Sequence, residues 1–353
     1  MNLFETSRQV TVLGAGMVGV SCALALQAKG WSVTLVDQQA PGEETSHGNA
    51  GVISRSSLLP FNRPGLWQNL PAMLLRPGPN LKIRSSAVSH WQWLWRFLWH
   101  AKRSSFEVTT VALDGLIQLS SDTHRAWLKK AHVESRLRDT GWLWLYAHAA
   151  AFESGAASRE VLQEFGVACE VLNAPSLQAL EPHLAPAFSH ALWVKDATSV
   201  DNPRAVVKAY VAQFLEAGGQ LVQSKVSVLQ QQPSGWQWVN PEGGVHWAPN
   251  VVVALGPWSE SLLEASQLKN NFKVNMGFER GYHRHFQPVE GVRLGRPIYD
   301  LSGAYVLSPM KDEQGADILR MTTGVELAAR DEGPNLQQLE CAENAARRVL
   351  PMK

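Results

Sequence analysis

Residues 9–37, QVTVLGAGMVGVSCALALQAKGWSVTLVD, carry the pattern on which the fold turns. Gln9 to Leu13 is a short β-branched run, and Met17 to Lys29 places Val20, Leu24 and Ala28 at helical spacing. Gly30 stands where a helix C-terminus favours a left-handed residue, and Ser32 to Asp37 reads as a second buried strand. Strand, helix and strand in this order predict a βαβ unit at the start of a parallel sheet. Between the first strand and the helix lie Gly14, Gly16 and Gly19, a G-x-G-x-x-G. The first glycine permits the tight turn, the second lets backbone approach a pyrophosphate, and the third permits close helix-to-strand packing. The helix N-terminus adds N–H donors and the positive end of its dipole. Asp37 closes the second strand 23 residues after Gly14, where a carboxylate accepts from ribose hydroxyls and disfavours a 2′-phosphate. The stretch therefore predicts an adenine dinucleotide held by amides between Leu13 and Val20, with Asp37 on the sugar.

The rest of the composition bounds the partner. A chain of 353 residues predicts two domains or one large composite one. With 45% apolar and 18% charged residues it is a folded globular protein. The 32 basic side chains against 31 acidic ones leave no field that favours a polyanion, which argues against nucleic acid. Cys22, Cys169 and Cys341 are odd in number and lack metal-type spacing, so no metal site is expected and a reducing compartment fits. Met1 to Arg8 has no apolar core of a signal peptide, and no apolar run reaches the length of a membrane span. These features predict a cytoplasmic protein.

Further along, the texture changes from Pro60 to about Lys195, with a helix expected from about Ala112 to Lys130 and a strand at Trp142 to Tyr146. Pro203 opens an apolar helix that runs through Leu215 and stops at Gly218 and Gly219. Strands are expected near 220–229, 236–240 and 250–255, with more between 274 and 330, and a last helix from Leu336 to Val349. The expected division is 1–60 with 196–266 as a discontinuous cofactor domain, and 61–195 with 267–332 as a substrate domain. Residues 333–353 are expected to begin a return to the cofactor domain.

The loop after the second strand, Glu44-Thr45-Ser46-His47-Gly48-Asn49-Ala50-Gly51-Val52-Ile53-Ser54, carries a resemblance. With the N-terminal unit it is similar to the FAD-dependent D-amino-acid oxidase superfamily, and within it to the bacterial D-amino-acid dehydrogenase small-subunit group. Leu180-Glu181-Pro182, Asp201 to Pro203, Val251 to Ser259 (VVVALGPWS), Arg280 to His283 and Leu319 to Glu326 continue the likeness through most of the chain. The fold that this implies is α/β with an α+β substrate part: a Rossmann-like FAD-binding domain and an interleaved antiparallel-sheet substrate domain. The resemblance implies FAD contacts at Gly14, Ala15, Gly16, Met17, Val18, Gly19, Asp37 and Gln38. Towards the flavin it adds Thr45, Ser46, Asn49, Ala50 and Gly51, with Val226 near the adenine and Ala254 and Gly256 passing close to the cofactor. This loop argues against the rival reading of a nicotinamide dehydrogenase.

The activity implied is oxidation of the Cα–N bond of a D-amino acid, with glycine, sarcosine or hydroxyproline as alternative substrates. Such a reaction mainly needs positioning, so no catalytic acid or base is assigned. Tyr282 and Tyr305 are candidate walls of the substrate pocket, each against the reading of an ordinary strand tyrosine. Arg280 is weighed as a carboxylate clamp against a surface salt bridge, and His47 as a ring or phosphate contact against a solvated loop side chain. Members of the family continue for several dozen residues beyond the position of Lys353, through a further arginine and glycine turn. On the resemblance the chain is therefore expected to be a C-terminally truncated member, with weak FAD retention and no catalysis as the alternative reading. Trp91, Trp93, Trp95 and Trp99 precede Lys102 and Arg103. This stretch reads either as core or as a peripheral membrane contact at the inner face of the cell membrane, the latter suiting electron transfer to a membrane quinone.

Overall fold

A computed structural model describes residues 8–67, 81–272 and 274–353. Residues 1–7, most of the stretch expected to lack a secretory signal, lie outside the described residues. The chain divides into two compact units. The first comprises Met1–His47, Trp127–Glu134 and Pro203–Met276, and the second Gly48–Ala126, Ser135–Asn202 and Gly277–Lys353.

The first unit is built on the opening stretch. Strand β1 (Gln9–Leu13), helix α1 (Met17–Ala28) and strand β2 (Ser32–Asp37) form as the pattern predicts. The sheet has four parallel strands in the order Gln220–Gln223, β2, β1, Val251–Val253. A sheet buried on both faces needs cover on each: the helix Pro203–Glu216 lies beside α1, and Leu229, Trp238, Leu262 and Leu263 join Leu13 and Val36 in a second apolar cluster. Its Val206, Val207, Tyr210 and Phe214 are buried. The expected strand 220–229 breaks in two. Gln223 pairs with Asp37, the last residue of β2, so beyond it no ladder partner remains. Chain beyond the break re-enters a three-stranded antiparallel sheet at Val228–Gln232, Gly235–Val239 and Val245–Ala248. Val226 thus sits in a connection rather than on a strand, partly buried against Leu13, Val36 and Trp238.

The second unit centres on a seven-stranded sheet in the order His283–Phe286, Asp317–Thr323, Tyr305–Lys311, Ile298–Asp300, Trp142–Tyr146, His190–Val194, Cys169–Asn173. All its pairs are antiparallel except Ile298–Asp300 with Trp142–Tyr146. One face joins Leu143, Leu145, Ile298, Leu307, Leu319 and Met321 in a single core. The helix Leu336–Val349 covers that core with Leu339, Ala342, Ala346 and Val349 at helical spacing. Residues 333–353 therefore belong to this unit and not to the cofactor part, because their apolar stripe completes this sheet's core. The stretch 48–60 also falls in this unit, since Val52–Ile53 pairs with Thr198–Val200. The long helix spans Arg103–Lys130 and starts nine residues before the expected Ala112. Among the described residues no helix is long and apolar enough to cross a membrane.

Candidate functional site

In the first unit the glycine turn sits at the C-terminal end of the parallel strands. Gly14 has φ +108°, which only glycine adopts without strain, and a Cβ there would come within 2.8 Å of the Ala254 carbonyl carbon. Gly19 sits on α1 so close to the turn that its Cβ would overlap the Gly14 carbonyl. Gly16 is different. A Cβ there would meet only the Ser46 Oγ, at 3.2 Å, so its outer side is open. Gly16 is also the N-cap of α1 and brings no side chain to the first-turn amides, and that turn contains no acid. The first, third and second glycines thus do what the motif requires: turn, pack and leave space.

Two side chains brace this turn. The Ala15 N–H donates to Asp37 Oδ2 at 2.6 Å, and the Gln39 N–H donates to Oδ1 at 2.9 Å. Ser46 Oγ accepts from the Met17 N–H at 2.9 Å. Each Asp37 oxygen keeps a lone pair for a further donor, since a carboxylate offers about four acceptor sites. Val18 is exposed on the first turn, and Gln38 and Thr45 are exposed in the following loop. Gly256, at φ +52°, opens a short 3-10 turn after Val251–Val253 and has nothing within 4 Å of its Cβ position. Gly14, Ala15, Gly16, Met17, Val18, Gly19, Asp37, Gln38, Thr45, Ser46, Val226, Ala254 and Gly256 all lie in this unit.

Asn49, Ala50 and Gly51 lie in the second unit, on one face of the seven-stranded sheet. The Arg320 guanidinium donates through Nη1 to the Asn49 carbonyl at 3.1 Å, and the Ser308 hydroxyl donates to the Ala50 carbonyl at 2.9 Å. Gly51 turns away at φ +69°, where a Cβ would come within 2.7 Å of the Val200 carbonyl oxygen. Arg320 is 2% exposed and its Nε–H donates to His285 Nε2 at 2.9 Å, so His285 carries its proton on Nδ1. Burial lowers the Arg320 pKa from its ordinary value, against the opposing pull of Glu313. His285 and Ser308 both stand opposite Arg320 in the ladder. The sequence reading did not single out Arg320, Ser308 or His285 as site residues. The available signal was an arginine alternating with Leu319 and Met321 in DILRMTT, a charge where a sheet face needs a partner.

The two candidate tyrosines separate. Tyr305 is 1% exposed within the core of the second unit, and burial, with Asp300 beside it, pushes its phenol well up. It is a packing side chain there. Tyr282 is half-buried and fully engaged: its hydroxyl donates to Glu326 Oε2 at 2.5 Å and accepts from the Asn335 N–H at 2.9 Å. Burial and the Glu326 carboxylate raise its pKa, so it remains a phenol at neutral pH. Glu326 is 0% exposed, with Arg84 Nη1 at 3.7 Å and Arg280 Nη1 at 4.0 Å. Arg280 is thus part of this buried charge cluster and not a surface salt bridge. The ring of His283 lies against Gly48. Among the described residues no cluster of His, Cys, Asp and Glu could hold a metal ion.

A parallel sheet with this strand order, a glycine turn opening the first helix and an acid ending the second strand defines a dinucleotide-binding α/β protein. The comparisons narrow that class. The family model of FAD-dependent oxidoreductases abbreviated DAO matches residues 9–353. A D-amino-acid oxidase of Bradyrhizobium diazoefficiens is 32% identical over 94% of this chain and 77% of its own length. A D-amino acid dehydrogenase of the same organism is 26% identical over 92% of this chain and 75% of its own. The fold is shared with glycine oxidase from Bacillus cereus, at TM-score 0.64 and 16% identity over 97% of this chain and 80% of that one. L-proline dehydrogenase from P. horikoshii shares it too, at TM-score 0.65 and 14% identity over 97% and 77%. The chain belongs to the DAO family of FAD-dependent oxidoreductases.

Proposed function

We infer that this protein oxidises the Cα–N bond of D-amino acids, the substrate class named for the 32%-identical relative. The observation that carries the cofactor half of the reading is the open Gly16 N-cap beside an Asp37 carboxylate already anchored by Ala15. In this reading Gly14, Ala15, Gly16, Met17, Val18 and Gly19 border the pyrophosphate, which the amides of Gly16, Val18 and Gly19 receive, those of Gly14, Ala15 and Met17 donating to Val36, Asp37 and Ser46; Asp37 and Gln38 face the adenosine ribose. Val226 borders the adenine. Thr45, Ser46, Asn49, Ala50 and Gly51, with Ala254 and Gly256, lead towards the flavin. The residues fit the group, because no side chain caps the start of α1, its first turn carries no acid, and Gly16 leaves space there for a negative charge. Bound there, FAD would supply a two-electron acceptor for the hydride that leaves the substrate Cα, and the imine left behind would hydrolyse in water to a keto acid and ammonia.

The chain's own part is binding and orientation. Arg320 and Ser308 hold the Asn49 and Ala50 carbonyls, which sets the path of the loop. Tyr282 offers a rigid wall, its donor hydrogen committed to Glu326. We take the electron acceptor to be a membrane quinone, with the protein at the inner face of the cell membrane. The test is purification with added FAD and a panel of D- and L-amino acids, glycine and proline, read by dye reduction and keto-acid release. Faster reduction by D-amino acids supports the reading. Preference for an L-enantiomer or glycine overturns the substrate assignment, and failure to retain FAD overturns the roles given to the glycine turn. Hydrogen peroxide release in air, undiminished by a soluble quinone, overturns the acceptor.

A further inference from the structure

The helix Trp91–Trp99 does not bury its tryptophans together. Trp93 points inward, stacked on Phe97 at 5.1 Å and packed over Gly277. Trp91, Trp95 and Trp99 are 61%, 54% and 58% exposed, and their i, i+4, i+8 spacing puts them in one row about 12 Å long. The row widens into a patch: Trp67, itself exposed, meets Trp95 edge-on at 6.5 Å, and Trp95 lies 6.0 Å from Trp99. Lys102 Nζ stands 5.7 Å over the Trp99 ring, and Arg96 and Arg103 are exposed beside it. Burying indole rings stabilises strongly, so an exposed row of three needs a surface to meet.

The charge around the patch says which surface. From Thr45 to Phe106 the chain contains eight Lys and Arg residues and no Asp or Glu. The remaining residues hold 24 Lys and Arg against all 31 acids. Within the stretch Arg55, Arg84 and Arg103 pair with Asp114, Glu332 and Glu107, while Arg96 and Lys102 stand exposed on or beside the tryptophan helix itself. Indole rings settle at the depth of lipid headgroups, and neighbouring basic side chains are drawn to anionic ones. We propose that the exposed face of Trp91–Trp99, with Trp67 and Lys102, docks this protein on a bilayer bearing anionic headgroups. The helix has nine residues, so it lies along the interface and does not cross it.

This deepens the quinone reading by naming the surface, and rests on that reading only for its purpose. The full chain is mixed with vesicles of phosphatidylglycerol in phosphatidylcholine, and separately with phosphatidylcholine alone, then sedimented. Expected are cosedimentation with the anionic vesicles, a blue shift of tryptophan emission, and binding weakened about tenfold when ionic strength rises to about 0.5 M. Trp91→Ser with Trp95→Ser and Trp99→Ser should lower vesicle binding by a similar factor while leaving the thermal unfolding midpoint in place. Should that variant fail to fold, Lys102→Glu with Arg103→Glu tests the charge half. No binding to anionic vesicles, equal binding to neutral ones, or unchanged binding by the variants overturns the proposal. So does a concentration-dependent dimer without vesicle binding that the tryptophan variant dissociates, which assigns the face to a second copy of the chain. Sedimentation reads neither flavin nor turnover, so failure of the amine-oxidation reading leaves this result standing.

Discussion

Replacing Gly19 by alanine sets two effects of known sign against each other. Alanine within a helix is worth about 1 kcal/mol over glycine, so propensity alone predicts stabilisation of α1. Packing opposes it: the new methyl would stand 2.8 Å from the Gly14 carbonyl carbon and closer still to its oxygen. That is roughly 0.7 Å short of van der Waals contact, and the obstacle is backbone, which cannot rotate away. Overpacking of this kind costs about 1–3 kcal/mol. The net expectation is a loss of roughly 1–2 kcal/mol, with α1 pushed off β1 and the turn amides displaced. Gly115, on the helix Arg103–Lys130, is the internal control, since nothing lies within 4 Å of its Cβ position. There the same substitution should stabilise by about 0.5–1 kcal/mol. Urea unfolding of both variants, with FAD affinity followed by flavin fluorescence, measures the contrast. FAD affinity should fall at least about tenfold for Gly19→Ala, equivalent to about 1.4 kcal/mol, and stay level for Gly115→Ala. If Gly19→Ala is as stable as Gly115→Ala and binds FAD like the parent, close packing at the turn is not what that glycine is for.

Arg320→Met removes a charged donor from the part-buried bond to the Asn49 carbonyl, for a loss of about 1.5–3 kcal/mol and faster FAD release; unchanged release rates would detach Arg320 from the loop. Glu326→Ala should cost about 3–5 kcal/mol, because Arg84 and Arg280 lose the buried carboxylate they flank, whereas Glu326→Gln should cost less by keeping an acceptor for Tyr282. Chemical unfolding that ranks the two equally contradicts that account. Burial, with Asp196 adding to it, pushes the Cys169 thiol up to about 11, so at pH 8 it is protonated although the residue is exposed overall. Alkylation there should run about two orders of magnitude slower than for a free thiol of pKa near 8.5, and climb until the pH approaches that value. Rapid labelling of Cys169 at pH 8, located by peptide mapping, would show the sulfur to be solvated.

The sequence was most legible where one residue does one job that its chemistry dictates. Gly14 in the tight turn and Gly19 packed under the Gly14 carbonyl follow from the motif alone, whereas the bond from the Ala15 amide to Asp37, read in the sequence only as a ribose ligand, does not. The strand near 220–229 was misjudged at its far end because pairing, not propensity, sets strand length: β2 ends at Asp37 and the ladder ends with it. Tyr282 and Tyr305 looked alike as strand tyrosines, and only the fold sorts them, Tyr305 on a strand into the core and Tyr282 in a connection onto Glu326. Arg320 was the largest omission. Its role depends on Asn49, 271 positions away, and no local pattern records so distant a partner.

By itself the sequence determined the βαβ opening, the dinucleotide class and the family, because these rest on spacings within a few dozen residues and on backbone conformations only glycine allows. Tertiary structure alone decided which apolar faces meet. It assigned Leu336–Val349 to the seven-stranded sheet, turned Trp93 inward and left Trp91, Trp95 and Trp99 outside. Helical periodicity states that a face is apolar, but what covers that face depends on chain brought back from far along the sequence.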